Sequence, residues 1–334
     1  MMLTEKYRPL TLDDIVGHPH IIKAMKTFVK EYHDGEKTLP HFMFSGPPGT
    51  GKTSMAKALA REIYKKQWKA NFMDTNASDD RGIGVVRGKI KRTAQTKTAG
   101  NAPFRMIFLD ECDHLTRDAQ AALRRIMEDN AGNCRFILSC NYPSKIIEPI
   151  HGRCMEFRFA PLDPEFVVGF LSKIRENEKI DITDRGLEAL AEICNGDLRK
   201  TVNGLEKMRA MITRIDDTDV YRHMYSLDKK IAKKIMVVMF DKEKSISERI
   251  TEIDEEIYRI YHGGYGFDDV LNKMLDIIME KDEIPGKYKA QFVAKLSDIE
   301  FYIISGAQPI YMLRSFMAWM TVQIDRIMRS KGGK

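Results

Sequence analysis

The stretch HFMFSGPPGTGKT, residues 41–53, decides how the rest of the chain is read. HFMFS is a short apolar run of buried-strand type, and GPPGTGKT follows it at once. That is the G-x-x-x-x-G-K-[ST] spacing, set between a strand and a helix that starts near Lys52. Glycines let backbone N–H groups curl around phosphate oxygens, and a helix N-terminus adds partial positive charge. Gly46, Pro47, Pro48, Gly49, Thr50, Gly51 and Ser54 are therefore expected to surround the phosphates of a nucleotide. Lys52 is expected to reach the β- and γ-phosphates, and the Thr53 hydroxyl to hold Mg²⁺.

Further along, RMIFLDECD (105–113) is an apolar strand that ends in two acids. Asp110 is placed to position Mg²⁺ through water, and Glu111 to polarise an attacking water. Joined to the phosphate loop, the pair implies hydrolysis rather than binding alone. Cys112 reads as a small residue packed beneath the site, not as a nucleophile. RFILSCN (135–141) is a third buried strand with a polar end. Asn141 there either orients water against a γ-phosphate or simply forms a turn. In GDLRK (196–200), Arg199 lies one turn into a helix and, taken alone, reads as a surface arginine.

The first 160 residues alternate such runs with amphipathic stretches. HFMFS, NFMD (71–74), RMIFLD (105–110), RFILSC (135–140) and MEFRF (155–159) read as strands of a mostly parallel, buried sheet with helical crossovers. After Pro161 the strand signal stops. Three short helices are expected over 164–177, 183–194 and 197–214. A second helical stretch begins near Leu227, with helices over 230–240, 247–261, 267–281, 285–305 and 309–329. Breaks fall at Gly263, Gly264, Gly266, Pro285 and Gly306. The expected domains are thus 1–160, α/β; 161–226, small and helical; and 227–334, larger and all-helical.

Bulk composition excludes other classes. The 334 residues are 43% hydrophobic and 31% charged, which rules out disorder and collagen-like repeats. No apolar run approaches the roughly 18–20 residues that span a bilayer. The opening MMLTEKYRPLTLDD carries charge within six positions and lacks a signal-type apolar stretch, so a cytoplasmic protein with no membrane partner is expected. Five scattered cysteines without a C-x-x-C pair argue against a disulfide framework or zinc.

Net charge is only +6, but seven basic residues and no acid lie between Arg81 and Leu109. Such a cluster marks either a solvated helix face or a surface that follows a phosphate backbone.

Taken in order, EKYRP (5–9), LDDIVGH (12–18), GPPGTGKT, NASDDRG (76–82), DECD, SCN, GRC (152–154) and GDLRK resemble the boxes of the replication factor C small subunits, clamp loaders of archaeal and eukaryotic type. The resemblance runs from residue 5 to about 204; over the C-terminal third only size and helix count match. It implies an α/β AAA+ module (a parallel-sheet P-loop ATPase domain over 1–160 and a helical lid over 161–226), followed by an all-α collar over 227–334 that assembles subunits. The activity implied is ATP hydrolysis, with Mg²⁺, used to open a sliding clamp and load it onto primer–template DNA. Tyr7 and Arg8, with Ile15, Val16 and Gly17, match the segment around adenine; Asn141 and Arg199 match two γ-phosphate sensors. Arg153 matches the arginine finger that acts in trans on a neighbour's ATP, where it would neutralise developing charge. Arg81, Arg87, Lys89 and Arg92 match the element that follows the DNA backbone, in keeping with phosphate contact without base readout.

The implied partners are a replication factor C large subunit and further small subunits in a heteropentamer, a sliding clamp of the proliferating-cell-nuclear-antigen type, and primer–template DNA. The implied place is the nucleoid, or the nucleus in a eukaryote. The chain departs from the pattern in three ways: Gly152 stands for the usual serine before the finger, Cys112 for the alanine of DEAD, and Gly84 and Gly88 fall in the DNA-facing helix. Competing readings are an ATP-binding structural subunit with little hydrolysis of its own, another AAA+ DNA motor, and a P-loop kinase. An unfoldase pore would need an aromatic within DTNASDDRGIG (74–84), which has none.

Overall fold

The structure, a computed structural model, describes residues 2–36, 38–77, 84, 86–100, 102–224 and 229–332. The chain divides into two compact units, Met1–Ile215 and Asp216–Lys334.

In the first unit, five parallel strands form one sheet: β1 (His41–Ser45), β2 (Phe72–Asn76), β3 (Arg105–Asp110), β4 (Cys134–Cys140) and β5 (Cys154–Arg158), in the order β2-β3-β4-β1-β5. Helices α1 (Pro19–Glu31) and α2 (Lys52–Tyr64) cover one face, and α4 (Arg117–Asp129) the other; a short α3 (Lys91–Gln95) precedes β3. Alternate residues of each central strand enter different cores. Phe42, Phe44, Met106 and Phe108 pack with Met25, Met55 and Leu59, while Met43, Ile107 and Leu109 pack with Leu123, Ile126 and Met127. Burial on both faces is why these strands read as continuous apolar runs rather than alternating ones.

The edge differs from the expectation of a fully buried sheet. β5 pairs only with β1, begins one residue earlier than MEFRF, and leaves Met155 exposed. The register sets Ser45 opposite Cys140, Leu109 opposite Leu138, and Asn76 opposite Asp110. Gly46, Asp110 and Asn141 therefore leave the sheet together at its carboxyl edge, where open parallel sheets place ligands.

Three helices follow the sheet: α5 (Pro164–Glu178), α6 (Asp184–Cys194) and α7 (Leu198–Met211). Thr183 caps α6 by accepting from the Gly186 N–H, and Asp197 caps α7 by accepting from the Lys200 N–H. Asp197 is thus the cap rather than the first helical residue, and α7 stops three residues before Arg214. A short helix absent from the sequence reading, α8 (Asp217–His223), opens the second unit with a capping box between Asp216 and Asp219. Its one buried apolar residue, Val220, explains why no periodicity announced it.

The second unit continues with α9 (Lys229–Met239), α10 (Ile246–His262), α11 (Phe267–Glu280), α12 (Gly286–Ile304) and α13 (Pro309–Gly332). Met236, Ile253, Ile257, Met274, Phe292 and Phe316 lie in its core. A buried ion pair joins Arg249 of α10 to Asp325 of α13. Pairing of this kind is what makes a buried guanidinium tolerable. Among the described residues no helix is long and apolar enough to cross a membrane.

Candidate active site

A cavity of about 410 Å³ lies at the carboxyl edge of the sheet, within the first unit. Its floor is the loop between β1 and α2. Gly49 adopts φ +74°, and a Cβ there would lie 1.8 Å from Asp197 Oδ1, so only glycine lets the loop meet the cap of α7. The Leu198 N–H donates to Gly49 O at 3.2 Å, which docks the start of α7 on the loop. Lys52, the first residue of α2, is buried and folds back onto the loop. Its ammonium donates to Gly46 O at 2.5 Å, Pro47 O at 2.8 Å and Asn141 Oδ1 at 3.0 Å. Burial pushes its pKa down, and the nearby Asp110 carboxylate opposes that shift.

The Thr53 hydroxyl donates to Asp110 Oδ2 at 2.8 Å. These two hard oxygen donors, side by side on the cavity wall, are the type that a Mg²⁺ ion takes. The Glu111 N–H donates to Asp110 Oδ1 at 3.1 Å, and Glu111 has φ +54°, a left-handed conformation rare for a residue with a side chain. Such strain, of order 1–3 kcal/mol, persists where surroundings over-determine it, commonly at active sites. The conformation turns the chain at the end of β3 and leaves the Glu111 side chain lining the cavity.

Asn141 is held from behind by Asp113, the last acid of DECD. The buried Asp113 carboxylate accepts from the Asn141 N–H at 3.3 Å and the Tyr142 N–H at 3.2 Å. One carboxylate thus ties the end of β4 to the acid-bearing turn after β3. Pro48, Thr50, Gly51, Ser54 and Arg199 also line the cavity, Arg199 as an exposed side chain in the first turn of α7. The Thr50 hydroxyl donates to Pro47 O at 2.9 Å, and Thr50 O lies 3.2 Å from His18 Nε2.

Opposite the phosphate loop stand Tyr7, Arg8, Ile15 and Val16. Gly17 does not line the cavity. With φ +73° it turns the chain beneath Val16 and packs against Leu162. Gly46 and Pro47 are also outside the lining; their carbonyls hold Lys52, and that of Pro47 also accepts from Thr50. Leu3, Phe170, Leu198, Val202 and Asn203 are lining residues that sequence reasoning missed. Those on α5 and α7 carry no local signal, because their spacing is that of ordinary helix packing.

Arg153 is not brought to this cavity. It lies exposed after the short helix Glu148–His151, ion-paired with Glu128 of α4 and donating to Pro149 O at 2.6 Å. Gln120, also on α4, is buried and supports this region. Its amide donates to Leu115 O and Lys145 O, each at 3.1 Å, and accepts from the Ile147 N–H at 2.9 Å.

Of the basic cluster, Arg81 lies outside the described residues, and Arg87 falls in a wide π-type turn, Val86–Ile90. Gly88 sits in that turn, so the element is a distorted turn leading into α3 rather than one regular helix. Lys89 and Arg92 are exposed, while Ile90 and Ala94 are buried. Their charges therefore face away from the core.

Comparison with known proteins adds to this geometry. Residues 42–162 match the family described as ATPase family associated with various cellular activities (AAA), and residues 228–319 the replication factor C C-terminal domain. A replication factor C small subunit of Archaeoglobus fulgidus is 42% identical over 95% of this chain and 96% of its own length. That of Methanococcus vannielii is 40% identical over 95% and 98%, and that of Sulfolobus acidocaldarius 38% identical over 100% and 99%. Among solved structures, the Thermotoga maritima RuvB Holliday junction branch migration motor superposes with a TM-score of 0.56 at 18% identity, covering 74% of this chain and 85% of that one. That likeness is one of fold alone.

Proposed function

The chain belongs to the replication factor C small-subunit family of AAA ATPases, and from that premise we propose that it hydrolyses Mg·ATP to open a sliding clamp and load it onto primer–template DNA. The observation that carries the hydrolytic part is convergence. Lys52, the Thr53–Asp110 pair, Glu111, Asn141 and Arg199 reach one cavity from four separate segments. An ATP-binding structural subunit would not require the strained Glu111 or the Asp113 brace on Asn141.

In this reading Tyr7, Arg8, Ile15 and Val16 flank adenine, with Gly17 turning the chain behind them, and Lys52 and Arg199 neutralise the β- and γ-phosphate charge. Glu111 accepts a proton from the attacking water, which Asn141 helps to orient. Mg²⁺, held at Thr53 and Asp110, supplies charge neutralisation at the phosphates when bound. Arg153, pointed away from its own chain's cavity, serves a neighbouring subunit's ATP in a heteropentamer with the large subunit. The 1–160 and 161–226 segments act as ATPase body and lid, and 227–334 as the collar. Lys89 and Arg92, with Arg81 and Arg87, follow the DNA backbone, so the protein works beside chromosomal DNA.

The test is steady-state ATP hydrolysis by the chain and by the complex with large subunit and clamp, with and without primer–template, at two salt concentrations. The expected result is turnover stimulated by DNA, with stimulation fading as salt rises. Tight ATP binding without turnover in the full complex would replace this reading with the structural-subunit one.

A further inference from the structure

The nucleotide cavity has a wall that belongs to neither the sheet nor the helices after it. Residues 2–9 form a strap with one helical turn, Leu3–Lys6, and Leu3, Tyr7 and Arg8 on it line the cavity. The strap is anchored at both ends. At its far end, Arg61 of α2 donates to Pro9 O at 3.1 Å, and the Leu12 N–H donates to Glu62 of α2 at 2.7 Å. Helix α2 begins with Lys52, so this end moves with the phosphate loop.

The near end is anchored to α5 and α7 through Glu178, the last residue of α5. Its carboxylate accepts from Lys6 Nζ at 2.6 Å and from the Tyr7 hydroxyl at 2.8 Å. Arg209 of α7 donates to its other oxygen at 3.3 Å. Glu206, also on α7, accepts from the Leu3 N–H at 3.2 Å and lies 3.9 Å from Arg209. Two acids and two bases close a neutral quartet around the phenol. A single exposed ion pair contributes little. Here, however, one carboxylate that is only 13% exposed gathers three donors from two segments, and such networks are stronger than their separate pairs.

Tyr7 links Glu178 to the cavity. Its ring meets the ring of Phe170 edge-on, 6.5 Å between centroids, and both residues line the cavity, whereas Glu178 does not.

We propose that Glu178 is a positioning residue that latches the N-terminal strap onto α5 and α7, and so sets how fast adenine nucleotide leaves the cavity. The inference rests on reading the cavity as the nucleotide site and adds what holds its outer wall shut. Glu178 acts through Tyr7: with the latch closed, the phenol is pinned between Glu178 and Phe170. With it open, the near end of the strap keeps only Leu3, through its bond to Glu206 and its burial, besides the anchors at Pro9 and Leu12.

Stopped-flow release of a fluorescent ADP (the N-methylanthraniloyl derivative) from the full chain tests this. Glu178→Ala is expected to speed release about tenfold, the scale of one charge-assisted hydrogen bond. Glu178→Gln keeps an acceptor for the phenol and should recover part of that loss. Tyr7→Phe should speed release by itself but add little in the Glu178→Ala background, because both changes open one latch. Melting of the nucleotide-free protein is measured alongside. Should Glu178→Ala fail to fold, Glu178→Gln with Tyr7→Phe provides the same cycle.

Lys52→Ala separates the two layers of the argument. Loss of fluorescent-ADP binding in Lys52→Ala, together with unchanged release in Glu178→Ala, overturns the latch and leaves the nucleotide site standing. Retained binding in Lys52→Ala removes the site itself. Release rates that add independently in the double variant also overturn the latch.

Discussion

Replacing Asp113 by Asn changes one atom and tests whether the brace behind Asn141 matters to catalysis. The carboxylate now offers an oxygen to each of two backbone donors, Asn141 N–H at 3.3 Å and Tyr142 N–H at 3.2 Å. An amide offers one oxygen and turns its NH₂ toward the other donor. One buried donor then loses its partner, at about 1–3 kcal/mol, and the remaining bond loses its charge assistance. In a unit of this size each kcal/mol lowers the melting temperature by roughly 2–4 °C, so a drop of about 2–12 °C is expected.

The catalytic effect follows from what Asn141 touches. Its side-chain oxygen accepts from Lys52, so a shift of the loop after β4 moves both the amide proposed to orient water and the ammonium proposed to bind phosphate. A displacement of order 1 Å near reacting groups is worth about a hundredfold. We therefore expect single-turnover ATP hydrolysis in the assembled complex to fall about 10–100-fold in Asp113→Asn, with ATP affinity changed much less. In an Asn141→Ala background the same substitution should cost far less, because the group that it positions has gone. Full additivity of the two changes, or a melting shift with normal turnover, would refute the reasoning and reduce Asp113 to a structural residue.

Lys52→Ala should abolish nucleotide binding or turnover, and surviving turnover by ATPase assay would mean that the phosphate-loop assignment is wrong. Arg153→Ala should leave ATP affinity at the chain's own cavity nearly intact while lowering hydrolysis at its neighbour's; normal turnover of a complex built with that variant would remove the trans role. Lys89→Ala with Arg92→Ala should weaken DNA binding for every sequence alike and reduce the slope of log K against log salt by about 2, read by anisotropy titration.

Stability should also respond to acid through His41. Burial, with a smaller contribution from Arg135, pushes its pKa down to about 4, and the neutral ring accepts from the Phe136 N–H at 3.0 Å. The folded pKa lies below the unfolded value near 6.5, so this contribution is complete above pH 6.5. It is lost as pH falls toward 4, by up to about 3 kcal/mol. Urea midpoints should fall over that window, and less so for His41→Gln, whose amide accepts the same bond without titrating.

The elements written in contiguous residues were legible. Strand β1, the phosphate loop and the start of α2 occupy one short stretch in which glycines, lysine and threonine have a single chemical use. The acids at the end of β3 and the polar end of β4 stood out because each follows an apolar run buried on both faces. The regular helices of the second unit announced themselves by period and breaks. The exceptions share a cause. Helix α8 buries only Val220, the expected helix around Gly88 is a π-type turn at the glycine that weakens it, and β5 is exposed because it is an edge strand.

Within the active site the division is sharper. The amino-acid sequence by itself determined that a G-x-x-x-x-G-K-T loop, a strand ending in two acids and a polar strand end occur in this order, since each depends on neighbours along the chain. Only the tertiary structure decided what holds them in place. Asp113 reaches a backbone donor 28 residues away, and Glu178 a phenol 171 residues away. A carboxylate that accepts bonds from distant segments looks, in sequence, like any acid on a helix or turn. Its partner is set by how the sheet edge and the helices pack, and packing leaves no mark at the residue itself. Arg153 shows the same limit from the other side: its motif was plain in the sequence, but only the fold turns it away from its own chain's cavity and onto Glu128.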